Sequence, residues 1–83
     1  MLTNSAMKPG RFLRLHIGRQ RMRLISEAFA SGRCVYVCTM TRATRFTAKH
    51  AGMFRLGANG SIYVQRGRAW DCIDGAALRT ASN

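Results

Sequence analysis

The residues after Gly32 form short β-prone runs separated by turn residues, and this pattern constrains the fold more than any other. The runs are CVYVCTM (34–40), TRATRFT (41–47), MFRL (53–56), SIYVQ (61–65) and RAWDCID (68–74). β-branched and aromatic residues are typical of strands. Asn59-Gly60 and Arg66-Gly67 separate the later runs, and Asn-Gly is a strong hairpin signal because both residues tolerate positive φ. The pattern predicts four or five short antiparallel strands.

One helix is predicted before the strands, from Arg19 to Ala30. Met22, Ile25 and Phe29 recur at helical spacing and form one apolar stripe. Ser31-Gly32 then provides a C-terminal stop. The preceding RFLRLHI (11–17) alternates apolar and polar residues and predicts a strand, with a backward extension of the helix as the alternative.

These elements predict an α+β fold, with one N-terminal helix packed on a small antiparallel sheet or an SH3-like barrel of four to five short strands. The 83 residues suffice for one domain. We expect a flexible tail over 1–10, a single compact domain over 11–75 and a C-terminal tail over 76–83. A chain this small leaves little room for an enclosed substrate cavity of ~300 Å³.

The charge balance indicates the class of partner. The chain has 14 basic and 3 acidic residues, and only Lys8 and Lys49 among the basic ones are lysines. The arginine guanidinium suits bidentate phosphate contacts and stacking, so we expect an anionic partner, above all nucleic acid. The alternative is a basic surface with no partner, in which a GC-rich genome favours arginine codons.

The sequence indicates a cytoplasmic protein that does not enter the membrane. No stretch approaches the ~18 apolar residues of a membrane span, and Lys8, Pro9 and Arg11 interrupt any apolar signal core near the N-terminus. If the protein is encoded by a virus, we expect it in the host cell cytoplasm. Its three cysteines are then reduced by default.

Metal binding and catalysis are not predicted. Cys34, Cys38, Cys72 and His50 are suitable zinc ligands, but residues four apart on a strand lie about 13 Å apart, too far for one zinc ion. We therefore expect buried thiols, no metal and no cofactor. His50 is the one candidate acid or base, and no second group is placed beside it. The chain is predicted not to be an enzyme.

The fourth and fifth runs predict an aromatic surface. With Arg66-Gly67 as a two-residue turn, Tyr63 opposes Trp70, and both lie on the face away from the more apolar one. Aromatic rings beside guanidinium groups stack the bases of single strands. The other interpretation, which is the usual one for a small domain, is that its only tryptophan anchors the core and pairs with Tyr63 across the strands.

We expect the binding surface to combine these rings with basic side chains. The predicted electrostatic face consists of Arg42, Arg45, Lys49, Arg55, Arg66 and Arg68, with Tyr63 and Trp70 as stacking residues. The helix adds a secondary set that would contact phosphates, namely Arg19, Arg21 and Arg23.

The segment TRATRFTAKHAGMFRLGANGSIYVQRGRAWDCID resembles the small accessory proteins of temperate bacterial viruses, in its basic strand, glycine turn, aromatic strand and Arg-Gly-Arg. The resemblance implies an anti-defence role of the anti-CRISPR type and transfers no functional residue. Two functions follow as expectations. The first is a non-enzymatic basic module that binds nucleic acid or a nucleic-acid-handling complex. The alternative is a virus-encoded inhibitor that blocks a host protein through an acidic patch. Pairing of two copies through an uncovered strand edge is also compatible with the pattern.

Overall fold

A computed structural model describes residues 9–83 and confirms the α+β class. The elements are helix α1 (Pro9–Ala30), β1 (Arg33–Cys38), β2 (Ala43–Phe46), a 3₁₀ helix (Ala48–Met53), β3 (Phe54–Leu56), β4 (Ile62–Arg66), β5 (Ala69–Cys72) and β6 (Ala77–Ser82). The strands form two antiparallel sheets, ordered β2-β1-β6 and β3-β4-β5. Both sheets remain open and do not close into a clear barrel. Within the described part of the chain, no helix is long and apolar enough to cross a membrane.

The helix begins ten residues earlier than predicted, so the expectation of a strand over 11–17 is wrong. Pro9 stands at the first helical position, where its fixed φ and missing N–H are compatible with a helix. A strand over 11–17 would need a neighbouring strand to pair with, whereas extending an existing helix adds one hydrogen bond per residue without a new nucleus. Residues 1–8 of the predicted flexible tail lie outside the described residues.

The predicted apolar stripe of α1 forms the centre of the core. Ile25, Ala28 and Phe29 are buried and Met22 packs against them. The ring of Phe29 meets Phe54 of the second sheet edge-on, with centroids 5.8 Å apart. Phe54 in turn meets Phe46 of the first sheet at 5.0 Å. Three aromatic rings therefore join the helix to both sheets.

The C-terminal residues form a strand, so the prediction of a tail over 76–83 is wrong. β6 pairs with β1 along its whole length, from Arg33↔Ser82 to Cys38↔Ala77. β1 is buried and pairs with β2 on its other edge, so its remaining N–H and C=O groups need a second partner. Leu78 packs against the core. The partner strand, more than the modest strand propensity of 77–82, therefore determines this element.

Two glycines fix the helix against the β3–β4 hairpin. A Cβ on Gly18 would collide with the carbonyl oxygen of Gly60, and a Cβ on Gly60 would lie 2.7 Å from the carbonyl oxygen of Arg14. The hairpin predicted at Asn59-Gly60 is present, but only Gly60 has a positive φ, of 91°. Gly57 N–H donates to the Ser61 carbonyl oxygen at 2.8 Å and closes the loop. The glycine thus serves both the turn and the close approach of the helix.

Candidate nucleic-acid interface

The β4–β5 turn lies one residue later than predicted. Gly67 and Arg68 occupy it, Arg66 pairs with Ala69, and Gly67 takes a φ of 62°. Glycine at the first position of a two-residue turn supplies the positive φ that the turn requires. The register therefore slides by two residues, and Trp70 lies opposite Gln65 instead of Tyr63. A slide of two residues preserves the faces, so Tyr63 and Trp70 still share one.

We call this outer side of the second sheet the aromatic face; the ladder places on it Arg55, Tyr63, Gln65, Trp70 and Cys72. The opposite side of the sheet contributes Phe54, Ile62 and Val64 to the core. Trp70 is half-buried and is not part of the core cluster. The guanidinium carbon of Arg55 lies 4.4 Å from the centre of the Trp70 ring, a cation–π geometry. Arg55 itself is exposed.

The aromatic face carries no carboxylate. Asp71 shares the inner side of the sheet with Val64, where its Oδ2 lies 2.8 Å from Nε of Arg66. Because this ion pair is on the other side of the sheet, the charge of Arg55 is not neutralised locally. The aromatic face is therefore a positively charged surface that presents three planar groups, an exposed guanidinium, an indole and a phenol ring.

The other predicted basic residues do not gather on that face. Arg45 lies on the outer side of the first sheet, paired with Tyr36 across the ladder. Since the inner sides of the two sheets share one core, the outer sides point away from each other. The remaining predicted residues are all exposed on turns or strand ends: Arg42 precedes β2, Lys49 is in the 3₁₀ helix, Arg66 ends β4 and Arg68 is in the β4–β5 turn. The single basic face expected from the sequence is thus divided.

A second basic and aromatic group was missed because residues 76–83 were predicted to be a tail. On the outer side of the first sheet, Tyr36 lies between Arg45 of β2 and Arg79 of β6. Arg45 donates to the Asn83 Oδ1 at 2.6 Å. The alternation of Leu78 and Thr80 with Arg79 and Ala81 was the signal that could have indicated this strand.

Of the three helix arginines predicted to contact phosphates, one has a structural role. Arg21 is half-buried and donates to the carbonyl oxygens of Ala76 at 2.7 Å and Asp74 at 3.3 Å. Arg19 and Arg23 are exposed. Partial burial acts to raise the pKa of Asp74, but hydrogen bonds from Ser61, the Ile62 N–H and Cys72, together with the charge of Arg21, hold this pKa below its ordinary value.

The three cysteines and His50 do not come together as a group in the described part of the chain. Cys34 is buried, Cys38 is half-buried and Cys72 is exposed, so the expectation of three buried thiols is wrong for Cys72. Among residues 9–83, no three His, Cys, Asp or Glu side chains are grouped as metal ligands. His50 Nδ1 accepts the Thr47 N–H at 3.0 Å, and its ring meets Phe46 edge-on. This imidazole therefore caps the 3₁₀ helix.

Comparisons of the chain with protein-family models, with curated proteins and with solved structures find no match. A functional assignment therefore depends on the geometry of the chain's own residues. The stacked pair of Arg55 and Trp70, on a sheet surface without carboxylates, is the arrangement with the clearest chemical use.

Proposed function

We propose that the protein is a non-enzymatic module that binds single-stranded nucleic acid on the aromatic face. The observation that carries this proposal is the guanidinium of Arg55 stacked 4.4 Å above Trp70 on the outer side of the second sheet. Sheet-borne aromatic rings and arginine planes are the groups on which proteins stack unpaired bases. Each such base contributes about 1–3 kcal/mol.

The contact geometry suggests how a strand would bind. The guanidinium carbon of Arg55 lies over the indole and the residue is exposed, so a base would stack on the Arg55 guanidinium. Tyr63 is on the adjacent strand and would stack a neighbouring base. Arg68, in the turn at the end of the same sheet, would contact a phosphate. The net charge of +11 would raise the local concentration of any polyanion.

A duplex fits this surface less well than a single strand. Stacking on a protein ring requires an unpaired base, and paired bases are already stacked within the helix. The aromatic face is formed by short strands, and it presents no helix that would enter a groove. We therefore expect the same oligonucleotide to bind more weakly after annealing to its complement.

Titration of the protein with a labelled oligonucleotide, followed by anisotropy at two salt concentrations, tests the proposal. Trp70→Leu should weaken binding about 5- to 100-fold, the equivalent of one stacked base, because Arg55 loses the ring that holds its guanidinium in position. Because stacking is not ionic, this variant should retain the salt dependence of the wild type. A change in the fluorescence of the single tryptophan on binding should report occupation of the aromatic face beside Arg55.

Arg55→Ala and Arg19→Ala provide a matched pair, since both remove one exposed arginine charge and only Arg55 contacts Trp70. Arg55→Ala should weaken binding more strongly. Equal losses would refute the aromatic face and leave only diffuse charge attraction. If nuclease-treated pull-down yields one tight protein partner and the oligonucleotide does not bind, the virus-encoded inhibitor replaces this proposal.

A further inference from the structure

A cleft of about 550 Å³ lies between the inner sides of the two sheets. It opens between the β1–β2 and β4–β5 hairpins, at the end away from α1, since Thr39, Arg42, Arg66 and Gly67 line it. Its apolar lining consists of Val37, Phe46, Met53, Val64, Ile73 and Ala76. The size falls within the range of ligand sites.

The side chains at this end are too small to fill the space. Thr44 is the inner residue of β2 next to the mouth, and Gly75 and Ala76 form the wall between β5 and β6. Among the described residues, helix α1 contributes none to the lining of the cleft: it approaches the sheets closely at Gly18 and Gly60 and reaches the Ala76 carbonyl oxygen through Arg21. An apolar concavity that the fold itself leaves open is typical of a binding site.

The mouth of the cleft has a net positive charge. Arg42 and Arg66 line it together with Asp71, which pairs with Arg66 at 2.8 Å. Within the described residues, Arg42 has no ion-pair partner. It is exposed and available to an anion bound at the mouth. The cleft thus combines apolar walls with one uncompensated guanidinium at the entrance.

We infer that this cleft binds an amphiphilic anion, an aliphatic or aromatic chain that ends in a carboxylate. The chain would pack on the partly exposed Phe46 and Met53 beside the edges of Val37 and Val64, and the carboxylate would accept hydrogen bonds from Arg42, for which a guanidinium is well suited. The site is distinct from the aromatic face because Val64 and Trp70 point to opposite sides of the second sheet. It adds a small-molecule ligand to the proposed nucleic-acid binding and does not depend on it.

Calorimetric titration with decanoate, below its micelle concentration, tests the inference. Decyltrimethylammonium has the same chain with a cationic head, and acetate has the same head without the chain. Both should bind at least about tenfold more weakly, because each lacks one of the two complementary parts. Methyl NMR shifts on titration with decanoate should be largest for Val37 and Val64.

Gly75→Leu places a bulky side chain in the wall of the cleft. A Cβ at Gly75 meets no atom within 4 Å and its φ is not positive, so leucine is tolerated. This variant should lose decanoate binding and retain oligonucleotide binding. Gly52→Leu is the matched control, since Gly52 is equally open and does not line the cleft. Arg42→Ala should weaken decanoate about tenfold, and Arg23→Ala should have little effect.

Three results would overturn the inference. Decanoate binding that survives Gly75→Leu would place the ligand elsewhere. Equal binding of decyltrimethylammonium would remove the role of Arg42. Sedimentation showing a dimer whose formation Gly75→Leu abolishes would identify a second copy of the chain as the occupant of the cleft.

Discussion

The inner sides of β1 and β4 carry valine and isoleucine, but the residues nearer α1 are more completely buried than the residues nearer the cleft. At the helix end, Val35 and Ile62 are fully buried in one cluster with Ile25. Two residues farther along the same strands and on the same side, Val37 and Val64 border the cleft and retain exposures of 6% and 7%. All four side chains belong to one core cluster with Ile25 of α1, and the two ends differ in how completely that cluster is covered. A strand's apolar pattern therefore defines its inner side, whereas the covering element determines how completely that side is buried.

The largest loss of stability is expected from a substitution in α1 where its side chain is buried in the core. Ile25→Ala should lower the free energy of unfolding by about 4 kcal/mol, because the side chain is 1% exposed and its removal leaves a cavity. Leu24→Ala, on the exposed side of the same helix, should cost less than about 1 kcal/mol. Chemical denaturation measures both. Similar losses would show that burial by α1 does not stabilise this end.

The next largest effect concerns the contact that holds α1 at its end. Gly60→Ala should cost about 3 kcal/mol, since it combines a positive φ with a collision against the Arg14 backbone. Gly32→Ala shares the positive φ and meets no atom within 4 Å, so it should cost about 1 kcal/mol. The difference between the two variants isolates the helix contact. If they unfold at the same denaturant concentration, the close packing does not contribute.

A smaller loss of stability is expected from two valine substitutions on β1, one near α1 and one beside the cleft. Val35→Ala should cost about 2 kcal/mol and Val37→Ala about 1 kcal/mol, because the space left at Val37 joins an open cleft that water can enter. The two substitutions remove identical atoms from the same side of β1. A greater loss at Val37 would mean that the cleft is closed in solution.

The smallest effect is expected from Asp74, whose carboxylate accepts the Ile62 N–H at 3.0 Å. Because the folded pKa of Asp74 is lowered, its ionised form stabilises the fold above the ordinary carboxyl pKa of about 3.9. This stabilisation is lost as the pH falls through the lower, folded pKa. The stability difference between wild type and Asp74→Asn should therefore be constant near neutral pH and shrink in acid. A difference that does not change between pH 2 and pH 7 would contradict this role.

Local pattern predicted several elements correctly. The stripe of Ile25, Ala28 and Phe29 is buried as expected, because helical spacing places these side chains on one side wherever the helix packs. The runs that became β1 to β5 were identified by composition, and Asn59-Gly60 by turn chemistry. Of the candidate site, Tyr63, Trp70 and Arg55 lie together. Arg79 was missed because its strand depends on pairing with β1.

Features that depend on distant partners were not predictable from local pattern. The first turns of α1 alternate like a strand, and only the lack of a pairing partner and the adjoining helix decide their conformation. The β4–β5 register depended on whether glycine stands first or second in the turn. The cleft depends on where α1 packs, and α1 meets the hairpin at Gly18 and Gly60, which are 42 residues apart in the chain.

The amino-acid sequence by itself determined the fold class, the apolar side of the helix, most strands and the strongly basic charge, because periodicity, turn chemistry and composition are local properties. Only the tertiary structure decided the division of the arginines between opposite outer sides, the stacking of Arg55 on Trp70 and the open end beside Val37. These features arise where residues distant in the chain meet, and side-chain positions there depend on register and on the element that covers each sheet.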